Sequence, residues 1–575
     1  MSVPSRVAIW LFCLSPLVWI PGGFDRFVFP KLVLATAGIA AAGLAVRAGR
    51  LPKPVAVVAV AGLAWFALAC LLSPTPWASF FGRWPRYEGV PVLLAYAGCA
   101  WAGARLLGNR RRADVETLAT ALSVTSLLLG FVSVCSALGW SIEGESVESR
   151  TGSVLGNATD QGMVAMMLAA VLFAVWSERR TPLLLAGLGA SALTLVLSGS
   201  RASLLAAVVV VAGQVLLRRR ELARYAAGAL VVLVGLALAL PQTRDRITEG
   251  RTIEGRWLLW KESLHVGADR WWSGGPSTFV DAIGRHKDAD WVRVIGTRNP
   301  PDSPHSWLLQ ALVAGGIPLL LLAVALAVLV LRAGWLAVRR APEDSLTLGA
   351  LAATVGYGLA LLPNFTVAGS TCLAAFLTGV LVGQEASRTE RPALPRALAG
   401  VAAAGVVLFA LGAFAERSLS TGIHQVLGHD TAAAQQAFDQ AHHLRPWDAD
   451  VAMLAAQALA APADGGDPEA ARETERWARR SLDRTPDTYA AGLALAVAQR
   501  AQGDLDGATR TLDRLVRLYP TEPGARIERG RVRFGRRDVD GARADLAEAR
   551  RLDPRDRTPR RLLREIEKRL GAGRS

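Results

Sequence analysis

Five ionisable residues sit at the edges of long apolar blocks: Arg83 and Arg86 in GRWPRYEG, Arg201 in SGSRAS, Arg256 in EGRWLLW and His305 in PDSPHSW. Placing an ionisable group at a membrane boundary is costly, so such a residue is a functional candidate by default. A guanidinium is always charged and presents a planar fork that suits phosphate oxygens. A neutral imidazole can take a proton from a hydroxyl near physiological pH. Together these residues offer a site for an anionic, membrane-held substrate. Plainer readings stand beside this one. Arg201 could snorkel to headgroups, Arg83 and Arg86 could pair locally with Glu88, and His305 could be a polar helix cap. His265 and His286 are rivals to His305 on chemistry alone.

Membrane helices must position these residues. The 575-residue chain is 52% hydrophobic with a mean hydropathy of +0.30. Its apolar residues fall in blocks of roughly 18–25, long enough to span a bilayer. Thirteen spans are expected at about 7–22, 31–46, 54–73, 89–107, 115–139, 160–177, 182–199, 202–217, 225–241, 305–331, 345–362, 369–386 and 397–415. The first starts close to Met1 and reads as an anchor rather than a cleaved signal. Alternating the spans puts 20 Lys and Arg in the loops of one side, including Arg110 to Arg112 and Arg218 to Arg220, against 6 in the short loops of the other. The other six are Arg26, Lys31, Arg83, Arg86, Arg150 and Arg201. Positive charge marks the cytoplasmic side. The five candidates, the long loop at about 242–304 and everything after the last span are then external, in the cytoplasmic (inner) membrane or on its periplasmic face.

That loop is rich in Trp: Trp257, Trp260, Trp271, Trp272 and Trp291. TIEGRWLLWKESLHV has helical spacing, with Trp257, Trp260, Leu264 and Leu258 on an apolar face. Interfacial anchoring and stacking on sugar rings both fit. The five cysteines lie inside apolar spans with no CxxC and read as core residues. The net charge of +16 does not imply nucleic acid: residues 424–575 carry 27 Lys+Arg against 24 Asp+Glu, so the excess sits in the membrane part.

The texture changes near 424. Pro486, Pro520 and Pro554 recur every 34 residues, and GDLDGATRTLDRLVRLYP (503–520) repeats as RDVDGARADLAEARRLDP (537–554). A looser copy ends at Pro446, its extra length supplied by DGGDP at 464–468. A 34-residue helix–turn–helix period closed by Pro resembles tetratricopeptide repeats. Three to four repeats are expected over 424–575, with 556–571 as a capping helix and His442 and His443 on the solvated surface. The fold expected is all-α: a polytopic membrane helical bundle over 1–420, followed by an α-solenoid.

SGSRAS at 198–203, GRWLLWKESL with the later GGPSTF (274–279), HSWLLQ…GGI at 305–317 and, more loosely, GNATDQGMVAMML at 156–168 are similar to motifs of the O-antigen ligase and O-antigen polymerase superfamily of bacterial membrane glycosyltransferases. The resemblance covers roughly 50–385 and implies a GT-C-like bundle. It implies transfer of a glycan from an undecaprenyl-diphosphate carrier to an acceptor hydroxyl, with no cofactor, metal or nucleotide sugar. Arg201 and Arg256 would hold the diphosphate and His305 would be the general base. Arg83, Arg86, Glu88 and Asn157 would line the substrate site. The outer loops show no cation-binding run of Asp and Glu. The acceptor would be a glycan, a lipid or a protein, and the repeats could hold a protein partner. Pro276 and the added thirteenth span with its repeats depart from the family's usual pattern. A polymerase using the same chemistry and a non-enzymatic anchor or transporter presenting the repeats are the competing readings. Transporters need charged or broken helices at the midplane, and these spans have few charges.

Overall fold

The computed structural model describes residues 3–45, 49–109, 111–140, 153–218, 251–272, 274–296, 301–385 and 393–572, with the single residues 224, 228 and 235. Every regular element among them is helical except one short antiparallel pairing of Gly49–Arg50 with Gln384–Glu385. Apolar segments in lipid satisfy their backbone groups internally, which favours this outcome. Seven helices are long and apolar enough to cross a membrane: Lys53–Leu71, Val90–Leu107, Arg112–Ala137, Ala158–Arg179, Arg201–Arg218, Trp307–Arg340 and Ala393–Leu427. Five shorter apolar helices accompany them, in Val3–Leu17, Val28–Leu44, Pro182–Ser198, Ser345–Ala360 and Ala368–Val382. The chain is an all-α membrane protein. Apart from the single residues 228 and 235, the span expected at about 225–241 lies outside the described residues, as does Arg150, so thirteen stays an expectation.

The Ala158–Arg179 helix is the centre of the bundle, with Met163 to Leu168 all in its core. Small residues bring neighbours close. A Cβ at Gly379 would collide with the Ala100 carbonyl oxygen, and one at Gly103 with that of Phe376, so Val90–Leu107 and Ala368–Val382 pack backbone to backbone. The Trp307–Arg340 helix is broken at Gly315 and Gly316, the latter at φ +68°. Trp65 Nε1 donates to the freed Gly315 carbonyl at 2.7 Å, and Ile317 N to Trp271 O at 2.7 Å. The break leaves a short segment, Trp307 to Ala314, just after His305.

The segment 251–296 is folded rather than extended. Arg251–Asp269 is a helix, as its spacing predicts, but it buries a different face. Leu259, Glu262, Ser263 and Val266 point inward, while Trp257 and Leu264 are exposed. Trp291, grouped by sequence with the surface tryptophans, is fully buried beside Phe279 and Ile283. The inward polar groups are paired along the helix itself, Ser263 Oγ donating to Leu259 O at 2.6 Å and Glu262 meeting His265 at 2.8 Å.

The repeats form as expected, with a shifted start. Thr431–Leu444, Pro468–Leu482, Leu505–Leu518 and Val539–Leu552 are each capped by an aspartate side chain, from Asp430, Asp467, Asp504 and Asp538. Each cap satisfies otherwise unpaired N–H groups of the first turn. Ala449–Asp464, Tyr489–Ala501 and Pro523–Gly535 alternate with them, and Thr558–Ala572 closes the array. The partner of the first capped helix is the final membrane helix itself. Ala393–Leu427 runs unbroken past position 424, and its Leu419 and Val426 enter the repeat core with Phe438. His442, expected on the solvated surface, is half-buried against Trp477, 5.9 Å between ring centres.

Candidate active site

His305 lies in the turn ahead of the broken helix, in the left-handed region at φ +52°. That region is uncommon for a residue other than glycine, and such outliers persist where surroundings enforce them. The enforcement is visible. His305 Nδ1 donates to Ser303 O at 2.9 Å, and its ring stands edge-on to Phe365, 4.7 Å between centres. Donation from Nδ1 assigns the tautomer that leaves Nε2 as acceptor. Arg86 fixes the same turn: its Nε reaches Asp302 Oδ2 at 2.7 Å, its Nη2 the Asp302 carbonyl at 3.0 Å, and its guanidinium lies 5.6 Å from the centre of the Phe365 ring. Glu88 accepts from Arg86 Nη1 at 3.1 Å and from Tyr96 at 3.4 Å.

Arg256 differs from these. Among the described residues it has no hydrogen bond and no ion pair, and its Nη1 is buried. Burial lowers its pKa to about 10, so it stays charged at neutral pH. Burial, and then the Arg256 charge, push the His305 imidazole down to about 4. A partly desolvated cation therefore lies within electrostatic reach of a neutral base. Trp260 Nε1 on the Arg256 helix, and Trp307 Nε1 and Gln310 Oε1 on the helix after His305, are also buried without a partner among the described residues. Buried polar groups are nearly always paired, so these unpaired ones call for an explanation.

Arg201 opens the Arg201–Arg218 helix and likewise has no protein partner among the described residues. Its turn is packed on the Ala158–Arg179 helix: a Cβ at Gly162 would lie 2.7 Å from Ser200 Cβ and 2.8 Å from Ser198 Oγ. The Asn157 and SGSRAS stretches, distant in sequence, thus meet. Asp160 in turn lies against Gly369, at the start of the Ala368–Val382 helix. The turn before that helix carries Phe365, the ring against His305. A chain of contacts therefore puts Arg201 and His305 at one end of the bundle.

The four expected substrate residues already have protein partners. Arg83 is buried, and its Nη1 meets Asp281 at 2.5 Å, its Nη2 Asp450 at 2.8 Å and its Nε Asp450 at 3.1 Å. With every nitrogen engaged, it ties the repeats to the loop rather than reaching a substrate. Arg86 and Glu88 brace the His305 turn, the local pairing being part of a larger set. Asn157 caps the Ala158–Arg179 helix, its Oδ1 accepting from Thr159 N and Asp160 N. Asp302, overlooked in the sequence reading although it lies in PDSPHSW, proves central to the brace. The outer loops carry no cation-binding run of Asp and Glu in sequence, but folding brings Glu262, His265 and His286 together, their donor atoms within 4.8 Å of one another.

The decisive comparison falls on the same residues. Residues 186–324 match the O-antigen ligase family model. The matched segment contains Arg201, Arg256 and His305 and leaves out Arg83, Arg86, Glu88 and Asn157. It supports a glycan-transfer function of the ligase or polymerase kind, on a lipid-linked glycan and an acceptor in general terms. No curated protein matches the chain. The crystal structure of the APC/C hetero-tetramer Cut9–Hcn1 aligns over 82% of this chain and 93% of its own, at 14% identity and a TM-score of 0.24. That of yeast Tom70 aligns over 77% and 96%, at 12% identity and a TM-score of 0.20. Alignments this loose carry no weight beside the O-antigen ligase match; the repeat architecture rests on its own capped helix pairs.

Proposed function

We propose that the chain transfers a glycan from an undecaprenyl-diphosphate carrier to an acceptor hydroxyl on the outer face of the cytoplasmic membrane. The observation that carries this reading is Arg256, a partly buried guanidinium whose Nη1 has no partner among the described residues, within electrostatic reach of a neutral His305. Burying a charge is expensive unless it is paired, and a diphosphate is the partner this chemistry favours. The acceptor oxygen attacks the anomeric carbon while its proton passes to His305 Nε2. The bond from that carbon to the diphosphate oxygen breaks, and the carrier leaves with the electron pair. Arg256, joined by Arg201, stabilises the charge building on the leaving diphosphate, where fixed cations act most strongly. The metal-free course and the external placement of the repeats, which the loop charges favour, belong to the same proposal. A carrier-linked glycan as acceptor would make the enzyme a polymerase.

The test is transfer in vitro from a purified lipid-linked glycan, with hydroxyl acceptors of both kinds supplied. His305→Asn tolerates the left-handed backbone but lacks the base. It should lose about 10²–10⁴ in turnover while retaining donor binding. Arg256→Ala should lose donor binding as well, and Arg256→Lys should recover little, since an ammonium lacks the fork. Wild-type rates in both His305→Asn and Arg256→Ala would rule the mechanism out.

A further inference from the structure

The geometry points to a zinc site formed by Glu262, His265 and His286, which clasps the Arg251–Asp269 helix to the turn at Ile283–Arg285. This inference does not rest on the transfer reading. Glu262 and His265 stand three residues apart on one helix face, with Glu262 Oε2 2.8 Å from His265 Nδ1. His286 arrives from the next turn, its ring centre 6.0 Å from that of His265. The three donor atoms lie within 4.8 Å of one another. Ligands bound at zinc's usual distances stand about 3.4 Å apart in a tetrahedron, so small side-chain rotations close the site. Asp269 Oδ2 lies 2.9 Å from His286 Nε2. A carboxylate on one nitrogen of a histidine orients the other toward a metal.

The donor set selects the ion. Two imidazoles and a carboxylate suit zinc, whereas calcium and magnesium prefer oxygen alone. Glu262 is 3% exposed, and a buried carboxylate calls for a cation. Among the described residues its one cationic neighbour of permanent charge is Lys261, at 3.1 Å on a half-exposed side chain that also reaches toward Asp288 at 3.8 Å. Lys261 can therefore swing away when an ion enters.

The clasp would join elements that matter. Arg256 lies six residues before Glu262, about 9 Å along the helix axis. His286 is flanked by Arg285 and Lys287, which pair with Asp487 and Glu522 of the repeats at 2.5 and 2.6 Å. The ion would lock the helix bearing Arg256 to the segment that grips the repeats.

The test uses the full chain in detergent, its affinity tag removed and metal stripped by chelator before dialysis. Titration with zinc chloride should show one equivalent bound and a higher unfolding midpoint, and cobalt(II) should give the visible absorption of a tetrahedral site. Magnesium and calcium should do neither. His265→Gln and His286→Gln should each weaken zinc binding at least about tenfold, while the exposed His443→Gln leaves it unchanged. Midpoints equal to wild type without zinc would show that these variants fold. Absence of stoichiometric binding to the wild type overturns the proposal, as does undiminished affinity in both ligand variants.

Discussion

At the scale of single residues, His305 is held in its form rather than simply present. Its Nδ1 is committed to Ser303 O, its ring to Phe365 and its turn to Arg86 through Asp302. Because its folded pKa lies below the ordinary 6.5, at about 4, the imidazole stays neutral across physiological pH. The sign follows: an unfolded histidine takes up a proton as pH falls below 6.5, the folded one resists until about 4, and stability declines over that window. For kcat/KM, which reports the free enzyme, the acidic limb should fall near 4 rather than 6.5. Under saturating donor the limb of kcat should rise, because a bound diphosphate offsets the Arg256 charge. Asp302 opposes the lowering of the His305 pKa, so Asp302→Asn should move the kcat/KM limb further down and reduce kcat. A purely structural role for Asp302 would leave the limb where it was. An unshifted limb at 6.5 in the wild type would contradict the environment described for His305.

At the scale of elements, the break at Gly315 and Gly316 sets where His305 can stand. Gly316 has φ +68°, and a Cβ there would collide with the backbone of Trp271 and Trp272. Gly316→Ala should lower stability by about 1–3 kcal/mol and disable transfer, as judged by thermal unfolding and the in vitro assay. Gly213→Ala, where nothing lies within 4 Å of a Cβ, should leave both intact; equal tolerance at the two positions would mean the break is unimportant. Elements were the most legible level of the sequence. Apolar block length and the 34-residue period announce helices and repeats because both are local patterns. The break shows as GGIP only once the structure is known, and the buried face of Arg251–Asp269 could not be read from hydrophobicity because it includes Glu262 and Ser263. Arg83 was unreadable for a similar reason: its partner Asp450 is 367 residues away.

At the scale of the whole molecule, the repeats are latched to the bundle at several points. Glu416, fully buried, accepts from Arg445 at 2.5 Å, Tyr87 at 2.9 Å and Asp25 N at 2.9 Å, and Arg445 also meets Asp448 at 2.9 Å. Removing one partner of such a pair strands the other, so Arg445→Ala should cost about 3–5 kcal/mol. Glu416→Gln combined with Arg445→Met should recover part of that loss, since the two sites share one network. Additive losses in thermal unfolding would argue against a single latch. Orientation is a separate matter. The five native cysteines are buried, so a cysteine at exposed Ala547 gives a clean probe. In intact spheroplasts it should react with a membrane-impermeant maleimide, and reaction only after lysis would place the repeats on the cytoplasmic side.

The Ala393–Leu427 helix belongs to both halves at once. Its 35 residues make a rod of about 52 Å, of which an apolar layer takes about 30 Å. The solenoid is thus mounted on a mast without a swivel, and its bearing is set by helical phase. One inserted residue would turn everything above it by about 100° and carry Asp450 away from Arg83. Two whole turns, about seven residues, would restore the bearing but lift the repeats by about 10 Å. Spacing between the last apolar block and the first repeat is therefore a compass setting as well as a length, and an indel there has consequences that the same change in a loop would not.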